Sequence, residues 1–317
     1  MLPPPTTIVF PGQGSQRPGM GRDFDARFDP SRRVYDEASD ALGLDLRRIC
    51  FDDADERLAL TEYSQPAILA TEIAMLRGLA GEFGLVAGRF GGHSLGEYTA
   101  LVAAGVIALS DAVRIVRERG RLMQQAVPVG AGRMVAVVAP ALDRAAVTGA
   151  LQGLEVAVAN DNSPDQVVLS GRTGDVLTAE SRLAGSAGGA AMRLVELDVS
   201  APFHSPLMAA IEPAFAYVLE SVDDRWDVSN APSVTSNVTG GFHDADATSL
   251  RSRLVRQISA TVRWRDNMQA LVQQLGSVIE LGPGRPLRGF FKAVGVQVLS
   301  ITDLRSAERA LLAQAAA

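Results

Sequence analysis

The sequence predicts an α/β fold in which a helix-covered parallel sheet is interrupted by a small ferredoxin-like subdomain. Three observations predict it. Strand-like and helix-like runs alternate through short connections over residues 1–127 and again over 199–317, as in a parallel sheet covered on both faces. Residues 128–198 instead run strand, helix, strand, strand, helix, strand, the ferredoxin-like order. Finally, Gly92-His93-Ser94-Leu95-Gly96 is a G-x-S-x-G pattern between an apolar strand-like run and an Ala/Leu/Val-rich helix, the setting of a nucleophile elbow. The expected organisation is a discontinuous large domain, 1–127 with 199–317, α/β-hydrolase-like in its elbow and sheet, and an inserted subdomain, 128–198.

Each element has its own signal. Thr7–Phe10 is an apolar strand that runs into the Gly-rich turn Pro11-Gly12-Gln13-Gly14-Ser15-Gln16. Helices are expected over Pro30–Ala41 and over Gln65–Leu79, the second with Pro66 in its first turn and Gly81 past its end. Phe83, Leu85, Val86 and Phe90 read as the strand before Ser94, and Tyr98–Leu109 as the helix after it. Ser110 is the expected N-cap of a helix reaching Ala126, with Asp111 in its first turn. In the insert, strands are expected at Arg133–Ala139, Val156–Ala159, Gln166–Ser170 and Met192–Val199, with helices at Leu142–Leu151 and Asp175–Leu183. The linker 160–165 is turn-rich, and 184–191 is a Gly/Ala/Ser loop. The large domain then resumes with a helix from Pro206 to Ser221, a short strand Val234–Ser236, and helices at Leu250–Ile258 and Asn267–Leu275. Strands at Val278–Leu281, ending in Gly282-Pro283-Gly284, and Val296–Ser300 precede a closing helix, Leu304–Ala313.

Composition limits the function classes. At 47% hydrophobic residues the chain can bury a sizeable core, and a net charge of −6 argues against nucleic-acid binding. Cys50 is the only cysteine, so no intrachain disulfide can form, and a reducing cytoplasm is the expected location. The start Met1-Leu2-Pro3-Pro4-Pro5 lacks the basic and apolar segments of a signal peptide. The apolar stretch Leu101–Leu109 is far short of the roughly 20 residues that span a bilayer. The expectation is a cytoplasmic protein that begins at Met1 and associates with no membrane.

Chemistry centres on Ser94. A serine nucleophile needs a base, and the chain offers His93, His204 and His243. Side chains of adjacent residues diverge on an elbow, so His93 reads as packing beside the turn. His243, in Thr239-Gly240-Gly241-Phe242-His243-Asp244, reads as part of a surface loop. Elimination leaves His204, in Ala201-Pro202-Phe203-His204, positioned to face Ser94 across an interdomain cleft; the alternative is a buried structural histidine. Gln13 lies where ligands gather in open α/β sheets, but Arg17 stands at the third glycine position of a dinucleotide fingerprint. That turn is therefore either structural or an oxyanion donor loop. Lys292 is the only lysine, which excludes a P-loop, and one cysteine with three scattered histidines gives no metal site. Arg114, Arg117, Arg119 and Arg121 share one helix; one turned inward could bind a carboxylate bidentately, but the sequence does not say which.

Four blocks carry a more specific signal. Phe10-Pro11-Gly12-Gln13-Gly14-Ser15-Gln16, Gly92-His93-Ser94-Leu95-Gly96-Glu97-Tyr98, Arg119-Gly120-Arg121-Leu122-Met123-Gln124 and Ala201-Pro202-Phe203-His204 resemble, in order, the signature blocks of malonyl-CoA:acyl-carrier-protein transacylases. Asn160-Asp161-Asn162-Ser163-Pro164, Ser236-Asn237-Val238-Thr239-Gly240 and Glu280-Leu281-Gly282-Pro283-Gly284 extend the resemblance over essentially the whole chain. It implies Ser94 as the acylated nucleophile and His204 as its base, oriented by a backbone carbonyl rather than an acid. It implies backbone N–H groups of Gln13 and Leu95 as the oxyanion hole, and Arg119, Phe203, Gln257 and Asn162 as substrate-binding residues. Ser259-Ala260-Thr261 departs from the Asn-Pro region that the family carries after the glutamine. Phe203 resembles the malonyl-type signature; methylmalonyl-type enzymes usually carry a smaller residue there.

The function implied is S-malonyl transfer from malonyl-CoA to the phosphopantetheine thiol of an acyl carrier protein, by ping-pong kinetics, in fatty-acid or polyketide biosynthesis. No resident cofactor is expected, and the protein is expected to be monomeric. Carrier proteins are usually acidic, and Arg285, Arg288 and Lys292 are candidate docking residues. Two rivals differ in class. A serine esterase or thioesterase shares the elbow but expects an acid and then a late histidine, whereas none follows His243. A non-catalytic docking subunit of a synthase would not need Ser94, His204 and Arg119 together.

Overall fold

The strand β1 (Thr6–Phe10) lies between β2 (Ala87–Gly92) and β7 (Val278–Leu281), with β8 (Val298–Ile301) outside β7. All three pairings are parallel. Ile8, Val9 and Phe10 are fully buried, as a parallel strand covered on both faces requires. The computed structural model describes residues 6–128, 130–186, 192–199, 201–273 and 276–315. The strand expected at Val234–Ser236 is reduced to two isolated bridges, Val234 with Phe90 at the outer edge of β2 and Thr235 with Phe242.

Helices α1 (Arg22–Arg27), α2 (Asp29–Leu42) and α3 (Thr61–Phe83) separate β1 from β2. α3 is longer than its apolar pattern predicts, because its first turn, Thr61–Ser64, has no apolar periodicity to announce it. Pro66 consequently lies inside the helix rather than in its first turn. The predicted strand around Phe83 also starts later. α3 continues through Phe83, Gly84 ends it at φ 65°, and Val86 is 78% exposed before β2 begins. α4 (Leu95–Ala103) begins directly after Ser94, three residues before the expected start, and ends well short of Leu109. α5 (Leu109–Gln125) has Ala108 as its N-cap, so Ser110 sits in the first turn and caps nothing. Asp111 does lie in that turn, and Arg225 grips it with two bonds of 2.8 and 3.0 Å.

The middle of the chain forms a second sheet from β3 (Gly132–Val138), β4 (Val156–Ser163), β5 (Gln166–Arg172) and β6 (Arg193–Glu196), with helices α6 (Arg144–Ala150) and α7 (Thr173–Ala184). Its order is β4-β5-β3-β6 and every pairing is antiparallel. Strand alternation divides its burial. Val135, Val137, Val167 and Leu169 pack in a cluster with Val176 and Leu183 of α7, while Met134, Ala136 and Val168 join the core of the large sheet. β4 runs on to Ser163 through most of the expected linker, because Asn160 and Asp161 pair with β5 and Asp161 N also bonds Val262 O at 3.0 Å. Most of the predicted 184–191 loop, at 187–191, is outside the described residues.

The helix expected from Pro206 splits into a 3₁₀ turn, Pro206–Ile211, and α8 (Glu212–Glu220), with Pro213 in the first turn of α8. α9 (Ala247–Arg256) and α10 (Trp264–Val272) follow. α11 (Leu287–Ala293), hidden from the sequence by its shortness and by Gly289, lies between β7 and β8. α12 (Leu304–Ala315) closes the chain. Among the described residues no helix is long and apolar enough to cross a membrane.

Candidate active site

Ser94 occupies the junction of β2 and α4 at φ 54° and ψ −101°, a conformation that non-glycine residues rarely adopt. Small neighbours make it possible. A Cβ on Gly92 would run into Gly96, and one on Gly96 into the carbonyl of Phe10. Asn237 fastens the elbow: its Oδ1 accepts from Ser94 N at 2.6 Å and its Nδ2 donates to Gly92 O at 2.8 Å. The Pro11–Gln16 loop lies against the elbow, since His93 N donates to Phe10 O at 3.1 Å and Gly12 has room only for a hydrogen beside the His93 carbonyl.

Ser94 Oγ lies 2.7 Å from His204 Nε2. On the other side of the ring, Nδ1 lies 2.8 Å from the carbonyl oxygen of Gln257. A carbonyl only accepts, so Nδ1 carries the proton and Nε2 is left free to take the one on Ser94. Burial, followed by the positive charge of Arg119, pushes His204 down to about 3, which keeps the imidazole neutral. His204 sits at φ 55°, a second strained residue at the same spot.

Of the four clustered arginines, α5 turns only Arg119 inward. Arg117 pairs with Glu62 and Arg121 with Glu118, and Arg114 reaches the Ala41 carbonyl. Arg119 is 1% exposed. Its Nη2 donates to Ser94 Oγ at 3.0 Å and to Gln257 Oε1 at 2.9 Å, while Nη1 donates to Gln65 Oε1 at 3.0 Å. Its carbon Cζ lies over the Tyr98 ring, 5.4 Å from the centroid. Nε has no partner, and no carboxylate forms an ion pair with this arginine among the described residues. Burial lowers its proton affinity, the cost of a desolvated cation, and the nearby Tyr98 and Glu97 offset only part of that cost. A buried guanidinium beside a nucleophile, with donor capacity left over, has the chemistry to receive an anionic group.

Ser94, His204, Arg119 and Gln257 are thus brought into one bonded cluster. Leu95 is the first residue of α4, so its N–H is among those a helix leaves without an internal acceptor. Gln13 lies in the adjacent loop, its side chain donating to Thr61 Oγ1 at 3.2 Å. Phe203 is buried directly before His204. Asn162 faces away from the cluster: its Oδ1 lies 2.8 Å from His93 Nε2 and its Nδ2 donates to Gln166 at 2.9 Å. His93, as expected, packs beside the turn, against Trp264 and Phe290.

His243 corrects the sequence reading. It is no surface residue: it is 3% exposed, and its Nε2 lies 2.8 Å from Oε1 of the buried Glu97. A lone histidine in a Gly-rich stretch carries no local sign of a partner 146 residues away. Glu97 and Asn237 fall within blocks of the resemblance, yet neither they nor Gln65 carry a local sign of a site role, because each acts through a long-range bond. Among the described residues, no cluster of His, Cys, Asp or Glu could hold a metal ion.

Comparison with known proteins agrees with this geometry. Residues 7–283 match the family described as the acyl transferase domain. The chain is 38% identical over 311 residues to the malonyl CoA-acyl carrier protein transacylase of Bacillus subtilis, covering 96% of this chain and 95% of that one. The crystal structure of the malonyl CoA-acyl carrier protein transacylase from Clostridium perfringens superposes with a TM-score of 0.89 at 32% identity, covering 98% of both chains. A malonyl-transacylase solved in complex with its type II polyketide synthase acyl-carrier protein superposes at 0.87 with 36% identity, over 97% of this chain and 99% of that one. The chain belongs to the malonyl-CoA:acyl-carrier-protein transacylase family of acyl transferase domains.

Proposed function

We propose that the protein transfers a malonyl group from malonyl-CoA to the phosphopantetheine thiol of an acyl carrier protein through a malonyl ester on Ser94. The observation that carries this reading is Arg119, a buried arginine with no carboxylate partner among the described residues, which touches the nucleophile itself. A malonyl carboxylate completes it. In the first half-reaction His204 Nε2 takes the proton from Ser94 Oγ, which attacks the thioester carbon. The backbone N–H groups of Leu95 and Gln13 receive the oxyanion. As it collapses, the carbon–sulfur bond breaks and His204 returns its proton to the leaving thiolate, releasing CoA. The carrier thiol then gives its proton to His204, attacks the malonyl ester, and Ser94 leaves with that proton. The backbone bond to Nδ1 supports this reading over a hydrolase triad, since a carbonyl rather than an acid holds the histidine. Intact mass tests the function: malonyl-CoA alone should load Ser94, and holo-carrier protein should unload it.

The separate apolar cluster and the strand order of the middle sheet support a ferredoxin-like subdomain at 128–198. It is inserted in an α/β-hydrolase-like domain formed by 1–127 and 199–317. Phe203 walls the acyl pocket beside His204. Asn162 acts on substrate through the His93 side of the elbow rather than by contact with Ser94. A cytoplasmic monomer with no resident cofactor fits this role, serving fatty-acid or polyketide synthesis.

The carrier is acidic in this reading, and charge marks where it docks. Arg17, Arg285, Arg288 and Arg309 line a cavity of about 690 Å³ beside the Pro283-Gly284 turn, facing only one acid, Asp303. That turn packs on Ser15 of the oxyanion loop. Lys292, on α11, is exposed outside this cavity. Reversing charge with Arg285→Glu and Arg288→Glu together is expected to raise KM for the carrier protein about tenfold or more, with a larger loss at low salt. Steady-state kinetics at two ionic strengths checks it.

A further inference from the structure

Glu97 is the third residue after the nucleophile, in the first turn of α4, and its side chain is 1% exposed. Its carboxylate is saturated with donors. Oε1 accepts from His243 Nε2 at 2.8 Å; Oε2 accepts from Gln257 Nε2 at 2.6 Å and from Asn237 N at 3.1 Å. A carboxylate only accepts, so the edge of the Gln257 amide that faces it must be the NH₂ group. The second hydrogen of that group reaches Ser94 O at 3.0 Å. Oε1 of Gln257 is then forced toward Arg119 Nη2, at 2.9 Å. Flipping the amide would set NH₂ against the guanidinium and oxygen against the carboxylate, two repulsive contacts in a buried site.

We propose that Glu97 is a positioning residue for substrate selection: by fixing the Gln257 amide it aims Arg119 at the substrate carboxylate, and His243 completes the donor set that keeps Glu97 in place. The proposal rests on the malonyl reading of the site. A negative charge beneath the site keeps Arg119 buried, yet the intervening amide keeps that charge out of contact with it, so the guanidinium stays available to substrate. Gln65 holds Nη1 independently, so losing the Gln257 acceptor frees Nη2 and tilts the guanidinium rather than releasing it.

The test measures acylation rates of Ser94 by malonyl-CoA and by acetyl-CoA, using quenched-flow intact mass. Glu97→Met removes the acceptor and is expected to lower the malonyl-to-acetyl rate ratio about 10- to 50-fold, mostly through the malonyl rate. Glu97→Gln is expected to recover most of the ratio, its amide oxygen replacing Oε2 while its NH₂ donates to His243 in the other tautomer. Gln257→Met should lower the ratio as Glu97→Met does, and the double variant should lower it no more than about twofold further, since Glu97 acts through Gln257. Should Glu97→Met not fold, Glu97→Asp, which withdraws the acceptor by one methylene, reads the same shift. Equal slowing of both acyl groups, or additive effects of Glu97→Met and Gln257→Met, overturns the proposal. A wild-type protein without malonyl preference would instead overturn the malonyl reading, and that result appears before any substitution is made.

Discussion

His204→Ala should slow acylation of Ser94 by malonyl-CoA about 1,000- to 10,000-fold, with little change in malonyl-CoA binding, because the imidazole acts only on the proton that moves. Single-turnover acylation measures it directly. The wild-type protein should show a second, less usual signature. Burial and Arg119 hold His204 at about 3, so the base is already free at pH 5. The acylation rate constant per bound malonyl-CoA should therefore stay flat from pH 8 to about pH 5, without the fall near 6.5 of an ordinary histidine. Stability has the opposite sensitivity. Below pH 6.5 the unfolded chain binds a proton on this histidine that the folded chain refuses, down to about pH 3. The native state therefore binds fewer protons in that window, and this group's contribution to stability is lost as pH falls through it. Denaturant midpoints at pH 7.5 and 5 should drop accordingly in the wild type and less in His204→Ala.

Arg119→Leu should have the second large effect, and a selective one. The malonyl carboxylate would face an apolar wall in a buried site, at a cost of about 3–5 kcal/mol, or roughly 150- to 5,000-fold in acylation rate. Acetyl-CoA places no charge there. Its acylation should hold or rise, since the buried cation that acetyl leaves unpaired has gone. Comparing kcat/KM for malonyl- and acetyl-CoA in the two proteins measures the selectivity that Arg119 contributes. An equal loss for both substrates would assign Arg119 to the oxyanion or to Ser94 rather than to the carboxylate.

The division between what the sequence shows and what it hides follows the range of the interactions. Ser94 was legible because an elbow is local: two glycines, a strand and a helix within a few residues. β1 and β7 were legible for a similar reason, as short apolar runs ended by glycine. Arg119 could be narrowed to one helix but not chosen, because α5 turns one arginine inward and the others find their own acids or carbonyls. The resemblance to a family singles out Arg119, and this is the arginine that α5 buries against Ser94. The burial of His243 is hidden from the sequence because its partner, Glu97, comes from another part of the chain and nothing local announces it. Helix ends failed where tertiary packing overrode local signals: α3 holds Pro66 in its interior within a continuously buried run, Ser64–Met75, and Ser110 does not cap α5 because the cap falls two residues earlier, at Ala108.

A malonyl ester at Ser94 that waits for a thiol is the central intermediate of the proposed reaction. Intact-mass spectrometry after mixing the wild-type protein with malonyl-CoA, followed by peptide mapping, tests this most directly. The expected result is one added malonyl group per chain, located on Ser94, absent in Ser94→Ala, stable in buffer and discharged within seconds of adding holo-carrier protein. A Ser94→Ala protein that still gains the malonyl mass, or a wild-type ester that hydrolyses as fast as it forms, would contradict it.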